Sequence, residues 1–291
     1  MIVVRLIGGL GNQMFQYACG RALAERLGRK VHFDLSAFRN YRLHRYGLDG
    51  FLSTVTPAPW HMTTGSRIWS IARRMQITPA HCFNLRGIHW IDEEDDLSYQ
   101  PTKLLFDGSA YLNGYWQSQN YFADFESHIR KEFHLTEPLD RLYRQRITEL
   151  NIHDSITVSL HVRRGDYATN PVANSVHGTL GPDYYKLALQ KIEASLASSF
   201  TLLVFSDDIP WARANLDLPI STIYIEPNII FPQIDMHLMA SCNHHIIANS
   251  SYSWWGAWLN PNHDKLVIAP TRWFAKSTNT GDLIPSKWVR L

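Results

Sequence analysis

Two adjacent arginines stand in the densest cluster of polar residues in the sequence, the segment HVRRGDY at 161–167. The cluster lies at the end of a predicted buried strand, Ile156 to Val162. A guanidinium group offers a planar and permanently charged set of donors that suits a diphosphate. We therefore predict that Arg163 binds phosphate and that Arg164 stabilises the loop through an ion pair with Asp166. A purely structural Arg–Asp cluster is the alternative.

A second anion-binding pattern is the segment NSSYSWW, which begins at Asn249. A predicted strand ends here, and Ser250 and Ser251 lead into a predicted helix. Backbone N–H groups at a helix start, aided by short hydroxyl side chains, bind anions without a lysine. The same serines are also ordinary N-cap residues. The anion site is therefore favoured only in combination with the arginine segment.

Asp235 lies at the start of the preceding predicted helix, sixteen residues before Ser251. Its carboxylate would accept hydrogen bonds from both N1–H and N2–H of guanine, a pattern that adenine and uracil do not offer. The alternative is an acidic residue that interacts with the helix dipole. The sequence alone leaves these two roles open.

A glycine turn, GGLGNQM, follows the first predicted strand. It resembles a dinucleotide-binding fingerprint, but a methionine stands at the third glycine position. We expect Gly9 and Gly11 to let backbone amides and Asn12 approach a sugar nucleotide closely. Asp34 ends the second predicted strand, where an NAD-dependent enzyme carries its ribose-binding acid. An oxidoreductase is therefore the second hypothesis.

The elements that position these residues form two series of alternating strands and helices. A strand, the glycine turn, a helix closed by Gly28 and a strand ending at Asp34 open the chain as a βαβ unit. From Ser155 onward, strands and helices alternate regularly. We predict an α/β protein with two Rossmann-like domains, 1–150 and 151–291, that face a central cleft. Ligands would bind there at the carboxyl ends of the strands.

Other segments are interpreted more coarsely. Residues 40–110 include an acidic run at 92–96 and predict loops, short helices and one or two edge strands. The segment from 163 to about 181 predicts a polar loop. A helix over 251–259 carries three tryptophans, which favours a buried packing helix over a sugar-stacking platform. His244 and His245 would point to opposite faces of a strand, so neither is predicted to be a ligand.

The composition argues against several classes of protein. A net charge of +2 provides no basic excess for binding nucleic acid. The three cysteines are too few and too widely spaced for a disulfide framework or a metal-binding CxxC motif. No D-x-D motif occurs, so we predict no metal site. Neither a signal peptide nor a membrane-spanning run is visible, which predicts a cytoplasmic protein and leaves peripheral contact with the membrane open.

The chain is similar to the α-1,2-fucosyltransferases of glycosyltransferase family 11. The resemblance rests on four motifs in order: GGLGNQMFQY at 8–17, HVRRGDY at 161–167, FSDD at 205–208 and IDMHLMASCNHHIIANSSYSWWGAWLN at 234–260. It implies the GT-B architecture, with an acceptor-side first domain and a donor-binding second domain. It also implies GDP-fucose as the donor and a galactose-terminated oligosaccharide or lipid-linked glycan, such as an O-antigen precursor, as the acceptor.

The resemblance also implies roles for individual residues. His161 and Asp235 would contact guanosine, Arg163 the β-phosphate, and the three residues from Asn249 to Ser251 the diphosphate. Asn12 would lie near the leaving oxygen. The implied reaction is an inverting transfer to the 2-hydroxyl of a β-galactoside without metal or other cofactor.

In that reaction Arg163 would stabilise the negative charge that develops on the departing GDP. The general base stays open, with Asp34 and Asp166 as candidates. A non-catalytic sugar-nucleotide-binding protein is the third hypothesis.

Overall fold

The computed structural model describes residues 1–39, 43–64, 78–93, 97–152, 155–196, 198–276 and 278–291. These residues form two compact units: Met1–His134 with Asn279–Leu283, and Leu135–Thr278 with Ile284–Leu291. Each unit is built on a sheet of parallel strands.

The first unit contains a four-stranded sheet in the order β2-β1-β4-β3. Its elements are β1 (Ile2–Arg5), α1 (Leu10–Arg26), β2 (Val31–Asp34), α2 (Pro79–Leu85), β3 (Ile88–Asp92), β4 (Ser109–Asn113) and α3 (Glu126–Glu132). Strands β1 and β2 are parallel, which confirms the βαβ opening. Strand β3 is the predicted edge strand. Residues 94–96 of the acidic run lie outside the described residues.

Helix α1 packs closely on this sheet because Gly20 has no side chain. A Cβ atom at Gly20 would lie 2.5 Å from Cγ2 of Val4 in β1. The helix also buries Gln13 and Gln16, whose side chains make hydrogen bonds to loops at the carboxyl end of the sheet. Its start is therefore held firmly beside the end of β1.

The second unit contains a six-stranded sheet in the order β10-β9-β8-β5-β6-β7. Its elements are α4 (Glu137–Leu150), β5 (Thr157–Val162), α5 (Gly165–Thr169), α6 (Pro171–His177), α7 (Pro182–Leu196), β6 (Thr201–Ser206), α8 (Ile209–Asn215), β7 (Thr222–Ile225), α9 (Pro232–Ser241), β8 (His244–Ile246), α10 (Ser251–Leu259), β9 (Val267–Ala269) and β10 (Val289–Arg290). The central strand β5 is buried throughout, although Thr157, Ser159 and His161 alternate with its apolar residues.

Helix α4 belongs to the second unit, so the division differs from the predicted boundary after residue 150. The ring of Tyr143 in α4 lies 6.1 Å from that of His237 in α9. Arg146 donates a hydrogen bond to the carbonyl oxygen of Glu226 at 2.9 Å. These contacts attach the helix to the second unit, although its charged sequence resembles a linker helix.

The predicted polar loop after β5 is wrong, because this segment contains α5 and α6. The side chain of Asn170 begins α6 by accepting the backbone N–H groups of Val172 and Ala173 at 2.9 and 3.3 Å. A favourable N-cap followed by Pro171 is a local helix signal. This helix signal was missed because the polar composition of the segment is typical of a loop.

Helix α10 begins and ends as predicted and is a packing helix. Trp254 and Trp255 are fully buried, with ring centroids 5.1 Å apart. A Cβ atom at Gly256 would lie 3.0 Å from Cβ of Met239, so the glycine permits close contact with α9. None of the helices that the structure describes is long and apolar enough to cross a membrane.

Candidate functional site

The second sheet reverses its strand order between β5 and β8. From β5 the chain proceeds to β6 and β7 on one side, and it returns to β8 on the other side of β5. Open parallel sheets bind ligands beyond the carboxyl ends of the strands at such a switch point. Arg163 follows β5 and Asn249 follows β8. Two segments singled out by sequence therefore meet at the same sheet edge.

Arg163 is held by two carboxylates. Its Nη2 lies 2.6 Å from Oδ1 of Asp166, and its Nη1 lies 2.7 Å from Oδ2 of Asp207. The guanidinium carbon also lies 5.1 Å from the ring centroid of Tyr167. Burial opposes the charge, but Asp207 and Asp166 raise the pKa of Arg163 above its ordinary value. The sheet edge thus presents an oriented and permanently positive group.

Arg164 has different partners. Its Nε lies 3.2 Å from Oδ2 of Asp208, and its guanidinium carbon lies 4.0 Å from the ring centroid of Trp211. The predicted pairing of Asp166 with Arg164 is wrong, because α5 begins after Arg164 and turns Asp166 back toward Arg163. The side chain of Arg164 instead packs against the start of α8.

Asp207 and Asp208, the last two residues of the FSDD motif, brace this arrangement. Asp207 accepts the backbone N–H of Arg164 at 2.8 Å. Asp208 is the N-cap of α8 and accepts the backbone N–H of Trp211 at 3.1 Å. Both carboxylates are therefore occupied by neighbouring groups of the protein.

His161 is a buried neutral histidine at the end of β5. Its side chain is 6% exposed, and Nδ1 has no hydrogen-bond partner among the residues that the structure describes. Burial, together with the charge of Arg163, lowers the pKa of His161 to about 3. Buried polar atoms in folded proteins are normally satisfied. A ligand with a polar group would satisfy this one.

Asp235 lies in the first turn of α9 and is also 6% exposed. Its Oδ2 accepts the backbone N–H of Asn228 at 2.6 Å. Within the described part of the chain, Oδ1 is buried without a hydrogen-bond partner. Burial raises the pKa of the carboxyl group above its ordinary value. One oxygen is thus anchored, and the other remains available to a ligand donor.

Tyr252 contacts both His161 and the start of α9, and the sequence predicts no role for it. Its ring centroid lies 5.7 Å from that of His161. Its hydroxyl group donates a hydrogen bond to the carbonyl oxygen of Pro232 at 2.6 Å, at the start of the helix that carries Asp235. The sequence feature that could have identified Tyr252 is its position directly after the serine pair.

The serine pair begins α10 as predicted. The side chain of Ser250 is the N-cap and accepts the backbone N–H of Tyr252 at 3.3 Å. Ser251 is the first residue of the helix. The start of α10 therefore lies at the switch point, next to the segment that follows β5.

The side chain of Asn249 makes hydrogen bonds to three backbone carbonyl groups. Its Nδ2 donates to the carbonyl oxygens of His177 at 3.0 Å, Trp273 at 3.1 Å and Gly178 at 3.4 Å. Its Oδ1 is buried and has no partner in the described ranges. The amide nitrogen thus has a structural role, and only the oxygen is available for a ligand.

The glycine turn lies in the first unit at the carboxyl end of β1. Gly9 is the N-cap of α1, and Gly11 lies buried in its first turn. Gly8 has φ +88°, and a Cβ there would lie 2.8 Å from Nδ2 of Asn12, so this turn requires glycine. Oδ1 of Asn12 accepts a hydrogen bond from Nε2 of Gln117 at 2.7 Å.

Asp34 is a structural carboxylate, which contradicts its predicted role. Oδ1 accepts the backbone N–H of Ser36 at 2.9 Å. Oδ2 accepts the backbone N–H of Thr64 at 2.7 Å and the hydroxyl groups of Thr64 and Tyr111 at 3.0 and 2.6 Å. Asp34 is fully buried, so it reaches neither a ribose nor an acceptor hydroxyl. Asp34 is therefore not available as the ribose-binding acid on which the oxidoreductase hypothesis depends.

The two adjacent histidines, which were not predicted to be ligands, make hydrogen bonds to other groups of the protein. Nδ1 of His245 lies 2.8 Å from Oγ of Ser159, and Nε2 lies 2.8 Å from Nδ2 of Asn260. Nδ1 of His244 accepts the backbone N–H of Leu266 at 2.9 Å. Across the described ranges, no group of three or more His, Cys, Asp or Glu side chains has the arrangement of a metal site.

The family model and the similar proteins that match this chain point to the same family. Residues 83–291 match the family model described as Glycosyl transferase family 11. The chain is 32% identical to an α-1,2-colitosyltransferase of Escherichia coli, over 100% of this chain and 99% of that protein. It is also 32% identical to the O-antigen biosynthesis glycosyltransferase WbnK of Escherichia coli, over 98% and 99% of the two chains. Galactoside α-(1,2)-fucosyltransferase 2 of Pongo pygmaeus is 28% identical over 88% of this chain and 68% of its own length.

Two solved structures have similar folds. Arabidopsis thaliana FUT1, solved in complex with GDP, aligns with a TM-score of 0.54 at 12% identity, over 92% of this chain and 70% of that chain. Fucosyltransferase NodZ from Bradyrhizobium aligns with a TM-score of 0.52 at 15% identity, over 89% and 93% of the two chains. Together with the two parallel sheets, these likenesses confirm the predicted GT-B fold class.

Proposed function

Because this chain belongs to glycosyltransferase family 11, we propose that it transfers L-fucose from GDP-β-L-fucose to the 2-hydroxyl of a terminal β-galactoside. The observation that carries this proposal is the edge of the second sheet. There Asp235 and His161 each keep a buried polar atom without a partner among the described residues, and Arg163 supplies an oriented positive charge. A base with N–H donors and a diphosphate match these three groups.

The donor binds to the second unit in this proposal. Oδ1 of Asp235 accepts hydrogen bonds from guanine, and His161 contacts the guanosine. Arg163 binds the β-phosphate, aided by the N–H groups at the start of α10. Each terminal nitrogen of an arginine carries two N–H groups, so Arg163 can bind phosphate while its ion pairs to Asp166 and Asp207 persist.

The reaction breaks the bond between the anomeric carbon of fucose and the β-phosphate oxygen. A new bond forms between that carbon and the acceptor oxygen on the opposite face, which inverts the configuration. The acceptor hydroxyl releases its proton, and GDP leaves with the bonding electron pair. Arg163 lowers the barrier because the charge on GDP grows toward the transition state. Asp166 serves as a positioning residue that orients the guanidinium group.

The first unit takes the acceptor side. Asn12 follows the glycine turn at the carboxyl end of β1, and its amide is oriented by Gln117. The family resemblance supports a role for Asn12 near the leaving oxygen or the acceptor. The substrate on this side is a galactose-terminated oligosaccharide or lipid-linked glycan.

Colitosyl transfer is a second candidate, favoured by one specific comparison. The relative named α-1,2-colitosyltransferase shares 32% identity over the whole chain, compared with 28% for the primate fucosyltransferase. Colitose is fucose without the 3-hydroxyl group. A pocket that hydrogen-bonds that hydroxyl would strongly prefer fucose, whereas an apolar pocket would accept colitose.

The name of WbnK supports a role in O-antigen or related surface-glycan synthesis. We place this reaction on the cytoplasmic side of the membrane, where sugar nucleotides are made.

The decisive experiment supplies GDP-L-fucose and GDP-L-colitose in parallel to the purified protein with β-galactoside acceptors. NMR of the product identifies the sugar, the linkage and the anomeric configuration. We expect an α-1,2-linked product from one donor and binding of GDP but not NADH by calorimetry. Binding of NADH without GDP would support an oxidoreductase. Donor binding without product from any galactoside would support a binding protein.

A further inference from the structure

The segment between β7 and α9 exposes three consecutive apolar side chains. Ile229 is 84% exposed, Ile230 63% and Phe231 39%. The segment follows the carboxyl end of β7, on the ligand-binding edge of the second sheet. Continuous exposure of apolar residues at such an edge points to an interaction partner.

This segment is attached directly to Asp235. The backbone N–H of Asn228 donates to Oδ2 of Asp235 at 2.6 Å. The side-chain oxygen of Asn228 accepts the backbone N–H of Phe231 at 2.8 Å, which closes a turn around the two isoleucines. Asp235 therefore fixes the position of the turn with one oxygen and keeps the other for a ligand.

The neighbouring groups favour a flat heterocycle. Oδ1 of Asp235 and Nδ1 of His161 are buried without partners in the part of the chain that the structure describes. The ring of Tyr252 lies against His161, and its hydroxyl group donates a hydrogen bond to the carbonyl oxygen of Pro232, the first residue of α9. A purine satisfies the polar atoms through its edge and leaves two apolar faces to be covered.

A membrane surface is less well matched by the same segment. The adjacent helix α4 contributes arginines, but Arg141 pairs with Glu137 at 2.5 Å and Arg144 pairs with Asp140 at 2.7 Å. Their charges are therefore offset on the helix itself. An apolar turn without excess positive charge lacks the electrostatic attraction that peripheral binding to anionic lipids uses.

We propose that Ile229 and Ile230 form the apolar cover over the guanine base of the donor. This inference rests on the proposed function and extends it from the edge of the base to its face. Asp235 selects the base through its edge, and the turn that Asp235 holds adds apolar contact. The two isoleucines are then determinants of nucleotide affinity rather than a surface for lipid.

The test compares the double variant Ile229→Ser/Ile230→Ser with the wild type in calorimetric titrations with GDP and with inorganic pyrophosphate. We expect the Kd for GDP to rise at least about tenfold, because apolar contact with the base is lost. The Kd for pyrophosphate should stay within about twofold, since pyrophosphate has no base. Because both side chains are exposed, the melting temperature of the ligand-free protein should not fall.

The matched control is Leu187→Ser, which removes an exposed apolar side chain from α7 of the same unit. It should leave both Kd values unchanged. An unchanged Kd for GDP in the double variant, or an equal loss for GDP and pyrophosphate, would overturn the inference.

Cosedimentation with vesicles of phosphatidylethanolamine and phosphatidylglycerol tests the alternative that the two isoleucines bind a membrane surface. Loss of vesicle binding with the Kd for GDP retained would also overturn the inference. If the wild type binds GDP tightly but transfers no sugar, the proposed function fails while a weakened double variant still supports the cover. If the wild type transfers sugar and the double variant binds GDP normally, only the cover fails.

Discussion

Arg163 and Asp207 form an ion pair with 2.7 Å between Nη1 and Oδ2. Arg163 follows β5 and Asp207 follows β6, so the pair joins the carboxyl ends of two adjacent strands. The other oxygen of Asp207 accepts the backbone N–H of Arg164 at 2.8 Å. Asp207 thereby orients the side chain of the first arginine and the main chain of the second.

Arg163→Lys should reduce activity far more than stability. Lysine keeps the charge but loses the planar set of donors that binds phosphate and both carboxylates at once. We expect kcat to fall by about 100-fold or more, the scale of losing one oriented transition-state donor. Steady-state kinetics with saturating donor, together with the melting temperature, would measure both effects.

Arg164→Lys is the matched comparison. It loses the contact with Trp211 at 4.0 Å and weakens the ion pair to Asp208. The cost should be about 1 kcal/mol, or a decrease of about 2–4 °C in melting temperature. A stable but inactive Arg164→Lys beside an active Arg163→Lys would reverse the assignment.

Sugar transfer should continue in excess EDTA. In the proposed mechanism Arg163 and the start of α10 take the role that a divalent cation has in metal-dependent transferases. Initial rates with and without EDTA should agree, after chelation of metal carried over from purification. Loss of activity that Mn²⁺ restores would contradict this prediction.

Asp235→Asn should weaken binding of GDP without releasing the turn at Asn228. The asparagine oxygen can still accept the N–H of Asn228, but its NH₂ group cannot accept from guanine. We expect a loss of about 1–3 kcal/mol in GDP binding and no loss for ADP. Calorimetric titration with both nucleotides would measure the change in discrimination.

Asp183→Asn provides the control for the helix-dipole alternative, because Asp183 is an exposed acid in the first turn of α7. It should alter the melting temperature slightly and leave GDP affinity unchanged. If Asp235→Asn behaved in the same way, Asp235 would have no role at guanine.

Acid should destabilise the second unit through its buried histidines. Burial, with a smaller effect of Lys265, lowers the pKa of His245 from 6.5 to about 3. The unfolded chain therefore takes up a proton below about pH 6.5 while the folded protein does not, and the free energy of unfolding falls as pH decreases toward 3. His161 acts in the same direction.

Each histidine should cost about 2 kcal/mol between pH 6.5 and 5. Urea unfolding at pH 7 and pH 5 would measure the sum. His245→Gln should show a smaller difference between the two pH values, whatever its stability at pH 7. An identical difference would show that His245 is not neutral in the folded state.

Glu93→Gln should destabilise the first unit. The two carboxylate oxygens of Glu93 accept the backbone N–H groups of Tyr115 at 2.5 Å and Trp116 at 2.8 Å. Trp116 has φ +56°, a conformation that a tryptophan adopts only when its surroundings impose it. Glutamine supplies one acceptor and turns its NH₂ group toward the other N–H.

The expected loss is about 1–3 kcal/mol in the free energy of unfolding. Glu149→Gln, on the exposed face of α4, should change it by less than about 0.5 kcal/mol. Equal effects of the two variants in urea unfolding would show that Glu93 does not brace the turn.

The sequence by itself determined the elements at the edge of the second sheet. The strand before Arg163 and the helix after Ser250 were predictable, because a short run of strand-forming residues and a capping serine are local signals that neighbouring residues reinforce. The parallel order of the strands followed from their alternation with helices. The position of the arginine segment and the serine pair at one sheet edge therefore follows from local patterns alone.

Only the tertiary structure decided which groups each polar side chain contacts. Asp166 pairs with Arg163 rather than Arg164 because a short helix, concealed by polar composition, turns it back. The carboxylate of Asp34 accepts hydrogen bonds from Thr64 and Tyr111, which lie 30 and 77 residues away in sequence. Hydrogen bonds and ion pairs depend on distances of about 3 Å between remote parts of the chain. Local patterns carry no information about such distances, because the packing of the whole unit sets them.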